Sequence, residues 1–476
     1  MPRRYPDIQP LIEQAHDTID RWEASFGPFE RHPTMSVDEE RLGAALEEYL
    51  GRLTAPPAAS GGNYPFFHPR YAGQMLKPPH PVAVAAYAAA MRINPNNHAL
   101  DGGPPTAQME KEVVRDLAAM FGLPNDHLGH LTGGGTIANL EALFVARELH
   151  PDKGVAYSAD AHYTHGRMAS VLRMEAHAVA ATPEGRIDLN ALEDVLKTGG
   201  IGTVVLTATT TGLGAVDPIA DALPLLRRYG VRLHVDAAYG GFFTLLAKEN
   251  GGRPSAVGGL DSFPAQHFRA IAEADSVVID PHKHGLQPYG CGCVLFRDPS
   301  VGRFYSHDSP YTYFTSDELH LGEISLECSR PGATAGALWL TLRCLPLEAE
   351  DGLGPILVAG LRAARRWAAL IEASDALELY IQPEIDIVTY FPKADALSLV
   401  DAASQSVFEQ AMADADDPVF LSTYRMDAER LVALHPHIEA DRRHARILRS
   451  VLMKPEHEDY VDRLHDRVES LARSLP

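Results

Sequence analysis

The sequence predicts an α/β fold with a mostly parallel central sheet flanked by helices, an N-terminal arm and a smaller C-terminal α+β domain. Three observations predict it. Between residues 81 and 345, short apolar runs alternate with stretches of helical periodicity, the pattern of βαβ units. Glycines and polar residues cluster directly after several of these runs. Beyond residue 346 the pattern gives way to one long amphipathic stretch, two strand-like runs and a terminal helix.

Taken in order, residues 1–80 mix helical pattern with a Pro-rich loop, "TAPPAASGGNYPFFHPR", and read as an arm that cannot build its own core. In the large domain, 81–345, strands are expected at 154–160, 203–209, 232–238, 276–280 and 292–296, and helices at 136–150, 165–174, 190–199 and 219–230. The small domain, 346–476, opens with the amphipathic "GPILVAGLRAARRWAALIEAS", continues with "LELYIQ" and "DIVTYFP", and ends in "HEDYVDRLHDRVESLARSL".

Bulk properties exclude several functions. A net charge of −21 with no Lys/Arg block argues against nucleic acid as a partner. The apolar stretch 80–91 is too short to span a bilayer, and no apolar core follows the arginines at the start, so no membrane role is expected. Cys291 and Cys293 form a C-x-C that lacks a second ligand pair at zinc spacing, so no metal is expected and the cytoplasm is the default compartment.

Ligands of open parallel sheets sit outside the carboxyl ends of the strands, so residues there carry the functional signal. Gly133, Gly134 and Gly135 precede a helix starting near Thr136, where close backbone approach and the helix dipole favour a phosphate; a plain tight turn is the alternative. Asp236 ends "LHVD" and reads either as a loop cap or as a carboxylate facing a protonated ring nitrogen, with Ala238 leaving room beneath the ring. Lys283, between His282 and His284 in "VVIDPHKHG", is either a surface lysine or an amine that forms a Schiff base with a carbonyl cofactor. The three in this chain order are what pyridoxal phosphate requires.

These residues stand in segments that resemble the group II pyridoxal-phosphate-dependent decarboxylases, the aromatic-amino-acid, glutamate and tyrosine decarboxylase superfamily, over about residues 65–465. "HPRYAGQM", "PPTAQMEKEVV", "TGGGTIANLEAL", "YSADAHYTHGRM", "TATTTGLGAVDPI", "LHVDAAYGGFF", "DPHKHG" and "LRSVLMKPEHEDYV" follow in the family's order. The resemblance implies the fold type I scaffold of pyridoxal-phosphate-dependent transferases, a homodimer with a shared active site, and decarboxylation of an L-amino acid to an amine and CO2. It further implies that Lys283 holds the cofactor aldehyde, Asp236 faces the ring nitrogen, His162 stacks on the ring and Ala238 packs under it. Gly134, Gly135 and Thr136 match the phosphate loop, and Thr210 or Thr211 with His282 match further contacts to cofactor oxygens. For the substrate carboxylate the candidates are Gln74, Asn96 or Asn97, and Arg330, the last with a structural salt bridge as its equal alternative.

Two departures bear on the reaction. The interval from Lys283 to "SRPGA" is short for the family's mobile loop, and leaves Tyr311, Tyr313 and His320 as candidate acids, with packing as the alternative for the tyrosines. "HKHGLQPYGCG" also resembles the sphingosine-phosphate lyase branch, which keeps a carbon–carbon lyase or aldolase as the alternative activity.

Overall fold

The computed structural model describes residues 4–56, 62–247, 259–306 and 319–475. Tyr311 and Tyr313 lie outside the described residues.

The larger sheet contains β1 (Leu128–Thr132), β2 (Gly154–Ser158), β3 (Ala176–Val179), β4 (Ile201–Thr207), β5 (Arg232–Asp236), β6 (Ser276–Ile279) and β7 (Gly292–Phe296), in the order β1-β7-β6-β5-β4-β2-β3. The pairings of β2 with β3 and β4, of β4 with β5, and of β5 with β6 are parallel. The β7 strand pairs antiparallel with both β6 and β1. The link 280–291 contains no helix to carry the chain over the sheet, so β7 returns alongside β6 in the opposite direction. Two reversals leave β1 running with β6, so the carboxyl ends of β1, β2, β4, β5 and β6 all open on one edge.

Sequence periodicity missed β1 and β3. Each is short, and β3 exposes two of its four residues, so neither presents a continuous apolar run. Central strands such as β4 are buried at every position, as the apolar run "TVVLT" predicts for a sheet covered on both faces.

A second sheet, entirely antiparallel, contains β8 (Leu377–Ile381), β9 (Ile387–Pro392), β10 (Ser422–Asp427) and β11 (His444–Val451) in the order β10-β11-β9-β8. It forms the smaller domain. The amphipathic helix Leu353–Ala373 joins the two cores. Its first half places Leu353, Leu357, Val358 and Leu361 in the core under the larger sheet; its second half places Ala364, Trp367 and Ile371 in the core under the smaller one. Full burial of a side chain the size of Leu or Trp contributes roughly 1.5–3 kcal/mol, so this helix is a strong mechanical link. No helix among the described residues is long and apolar enough to cross a membrane.

Candidate active site

A cavity of about 360 Å³ lies on the edge where the five strands end, lined by Gly133–Ile137, Asn139, His162–Thr164, Thr207, Thr209, Thr211, Asp236, Ala238, Tyr239, Asp280, His282 and Lys283. Segments separated by up to 150 positions in sequence therefore meet here because parallel strands deliver their ends to one place.

The turn after β1 is shaped for close approach. Gly134 has φ +139° and ψ 173°, a conformation open essentially to glycine alone. It leads directly into the helix Gly135–Leu149 and offers no side-chain cap, so the first amides of that helix, which have no intrahelical acceptor, face the cavity. A Cβ on Gly135 would stand 2.7 Å from Asp280 Oδ2, and one on Gly292, at the start of β7, 2.6 Å from the Gly134 backbone. Glycine at these positions is what brings the turn, the Asp280 carboxylate and β7 together.

Asp236 closes β5 and is held on three sides. His165 Nε2 donates to its Oδ2 at 2.9 Å, Asn139 Nδ2 donates to the same oxygen at 3.4 Å, and the Ala238 amide donates to Oδ1 at 3.1 Å. Burial opposes its ionisation, but His165, the Ala238 amide and the nearby Lys283 outweigh burial and hold the carboxyl well below its usual range. Behind it, the Asn139 side-chain oxygen accepts from His234 Nε2 at 2.9 Å, while His234 Nδ1 faces Ser276 Oγ at 2.9 Å. Burial pushes His234 down to about 3, so this supporting ring is neutral.

Lys283 Nζ reaches the cavity 3.2 Å from Asp280 Oδ2. His282 Nε2 is 3.5 Å from the same oxygen, and burial lowers its basicity. His162 also lines the cavity, with its ring 4.2 Å from that of Tyr163, and burial likewise favours its neutral form. Thr211 lines the cavity, whereas Thr210 does not: its hydroxyl accepts from the Ala215 amide at 3.1 Å and holds the turn after β4.

The expected carboxylate-binding residues are not brought here. Arg330 is buried and absent from the cavity lining; its Nη2 donates to Glu110 and to the Leu131 carbonyl, and its Nη1 has no hydrogen-bond partner among the described residues. Asn97 donates to the other Glu110 oxygen at 2.7 Å. A buried carboxylate needs such partners, so the structural reading of Arg330 is the one the geometry matches. Asn96 Oδ1 accepts from the Arg330 amide, Gln74 is exposed and away from the lining, and His320 Nδ1 accepts from the Leu100 amide.

Sequence reasoning missed Asn139, His165, Asp280 and Arg449. Asp280 ends "VVID" as visibly as Asp236 ends "LHVD". Arg449, on β11, carried no local signal. It is 4% exposed and bonds the Gly212, Gly73 and Ser422 oxygens, with no hydrogen-bond partner for Nη2 among the described residues.

The match to the pyridoxal-dependent decarboxylase conserved domain spans residues 67–393. This chain belongs to that family of pyridoxal-dependent decarboxylases. It is 28% identical over 479 residues to an L-tyrosine decarboxylase of Enterococcus faecium, covering 80% of this chain and 77% of that protein. It is 31% identical over 351 residues to an L-2,4-diaminobutyrate decarboxylase of Rhizobium meliloti (strain 1021), covering 68% of this chain and 67% of that one. The fold matches Catharanthus roseus tryptophan decarboxylase, with TM-score 0.75, 16% identity and coverage of 99% of this chain and 100% of that one. It equally matches Oryza sativa TDC solved with PLP and tryptamine, with TM-score 0.75, 17% identity and coverage of 99% of each chain. The activity is pyridoxal-phosphate-dependent amino acid decarboxylation, a carboxy-lyase reaction.

The residues present fit pyridoxal 5′-phosphate. An uncapped helix start suits the phosphate, an ionised carboxylate suits a protonated ring nitrogen, and an amine lines the same cavity. Thr207 Oγ1, buried at the wall, has no hydrogen-bond partner among the described residues and is available to a bound group.

Proposed function

We propose that this enzyme removes the α-carboxylate of an L-amino acid with Lys283 as the residue that carries the cofactor and Asp236 as the partner of its ring nitrogen. The observation that supports this most directly is that the ionised Asp236 and Lys283 line one cavity together with the glycine turn and His162. When bound, pyridoxal phosphate supplies an aldehyde for the substrate amine and a conjugated ring that accepts the electrons of the breaking bond.

The chain's own residues do the rest. Gly134, Gly135 and Thr136 offer backbone amides to the phosphate, with His282 beside them. His162 and Ala238 would pack against the ring, and Thr211 and Thr207 would offer it hydroxyls. Asp236, supported by His165 and Asn139, keeps a fixed negative charge at one point of the site, an electrostatic arrangement that needs no reorganisation during reaction. Asp280 Oδ2, 3.2 Å from Nζ, steadies the Lys283 side chain where it enters the cavity. Arg449, buried and with a free guanidinium nitrogen at the Thr211–Gly212 turn, is the residue in this reading that orients the substrate carboxylate.

A second copy of the chain completes the assembly in this reading. The helix Glu39–Thr54 buries none of its residues and exposes Leu42, Leu46, Tyr49, Leu50 and Leu53 along one side, a stripe suited to a partner surface. The four cysteines are all free, which agrees with a reducing, cytoplasmic setting.

The experiment is a panel of L-amino acids assayed for both CO2 and amine, with Lys283→Ala beside the wild type. Release of CO2 and amine in equal amounts, abolished by the substitution, is expected. Full turnover by Lys283→Ala would show that the site is misassigned.

A further inference from the structure

His284 follows Lys283 directly, yet it points away from the cavity and into the protein, where it is 1% exposed. Its Nδ1 lies 3.0 Å from the carbonyl oxygen of Tyr239, and its Nε2 lies 2.8 Å from Asp386 Oδ2. The Tyr239 hydroxyl donates to the other Asp386 oxygen at 2.8 Å, closing a ring of three bonds around one carboxylate and one imidazole. Asp386 precedes β9 in the smaller domain and accepts the Leu452 amide through its own carbonyl at 2.8 Å.

The hydrogen count is tight. A carbonyl only accepts, so Nδ1 carries a hydrogen; a carboxylate only accepts, so another hydrogen lies between Nε2 and Asp386. The ring is wedged between Tyr239 and Phe243, with centroids 4.5 Å and 5.2 Å away. Rotating His284 would break two buried hydrogen bonds at once. On the other side of Lys283, its own amide donates to the Asp280 carbonyl at 2.9 Å, and Gly285 is held so close to Pro281 that a Cβ there would stand 2.7 Å from the Pro281 Cα. The turn that carries Lys283 is thus anchored to its own strand before the lysine and to the smaller domain after it.

We propose that His284 and Asp386 are positioning residues for Lys283: through their paired bonds the smaller domain sets the direction in which the lysine amine enters the cavity. The same bonds reach Tyr239, which follows Ala238 and lines the cavity, so amine and cavity floor are held by one network. The proposal rests on the reading of Lys283 as the cofactor-carrying lysine.

The test uses the full chain freed of cofactor. Two quantities are measured on wild type, Asp386→Asn, Tyr239→Phe, His284→Leu and Lys283→Ala. The first is the rate at which added pyridoxal 5′-phosphate is captured by a lysine, followed by absorbance; the second is affinity for pyridoxine 5′-phosphate, whose alcohol cannot react with an amine. Asp386→Asn is expected to slow capture about tenfold, the scale of a modest loss of preorganisation, while affinity for the alcohol stays within about twofold. His284→Leu should slow it at least as much. Should that variant fail to fold, Asp386→Asn and Tyr239→Phe keep the ring in place and carry the same expectation. Capture at the wild-type rate in Asp386→Asn overturns the proposal, as does an equal fall in capture and in alcohol affinity, which marks general loss of structure. Wild-type capture by Lys283→Ala would instead overturn the reading of Lys283 itself.

Discussion

Arg430 and Asp160 meet through two parallel bonds, Nη1 to Oδ1 and Nη2 to Oδ2, each 2.8 Å long. Arg430 belongs to the smaller domain, on the short helix Ala428–Leu434, and Asp160 stands two residues before His162. With side-chain exposures of 15% and 7%, the pair is shielded enough for its loss to matter. Arg430→Met would leave Asp160 uncompensated and is expected to cost about 3 kcal/mol of stability in urea denaturation. Adding Asp160→Asn should return much of that loss, because no buried charge then remains. A single variant as stable as wild type would show the pair to be energetically idle.

The glycine turn makes a second prediction. Gly134→Ala places a side-chain-bearing residue at φ +139° and is expected to cost about 1–3 kcal/mol and to weaken cofactor binding at least tenfold, read by titration with pyridoxal 5′-phosphate. Gly292→Ala should weaken binding similarly, since its Cβ would displace the Gly134 backbone. Gly199→Ala also falls at positive φ, +75°, but meets nothing within 4 Å. It should lower the melting temperature and leave cofactor titration unchanged.

Arg449→Lys keeps a positive charge but loses the fork whose Nε and Nη1 bond Gly212, Gly73 and Ser422 and so aim Nη2. The expected outcome is a rise in KM of about tenfold, one charge-assisted bond's worth, with cofactor absorbance unaltered. A changed cofactor spectrum with unchanged KM would place Arg449 elsewhere in the machinery.

Lys454 governs a pH dependence of stability. It is 2% exposed, its Nζ donates to the Tyr71 carbonyl at 2.6 Å, and burial, assisted by Lys77, lowers it to about 7 from 10.5. Between these values the unfolded chain keeps a proton that the native one has released, so stability rises with pH across that window and is lowest at and below pH 7. At about 1.4 kcal/mol per unit, the increase is on the order of a few kcal/mol. Lys454→Met should flatten the curve, with its gain over wild type largest near pH 7 and gone by about pH 10. Chemical denaturation at pH 7 and pH 9.5 measures it, and parallel curves for the two proteins would refute the assignment.

Much of this site was legible because parallel strands announce their ends. Apolar runs ending in Asp236 or leading into Lys283 put both residues on one edge of the sheet. What stayed hidden has physical causes. His165 and Asn139 lie on helices, and only the fold turns those helix faces toward Asp236. Arg330 was plausible as a carboxylate ligand, since local sequence carries no trace of Glu110, which lies 220 positions away and claims it. Arg449 sits on β11, whose polar interior gave no alternation to read. The fold class was the easier part, because it depends on periodicity alone; the antiparallel return of β7 depends on a missing crossover helix, a feature of the link 280–291 rather than of the strand.

The helix Leu353–Ala373 has a consequence for anyone exchanging parts between relatives. Every residue that lines the cavity precedes it, so a chimera taking residues up to about 345 from one parent would inherit the complete lining. Its mate would still have to supply Leu353, Leu357 and Leu361 to finish the first parent's core, Asp386 to meet His284, Arg430 to meet Asp160, and Arg449 at the Gly212 turn. A graft across this boundary will fail on fit unless those few contacts travel with it.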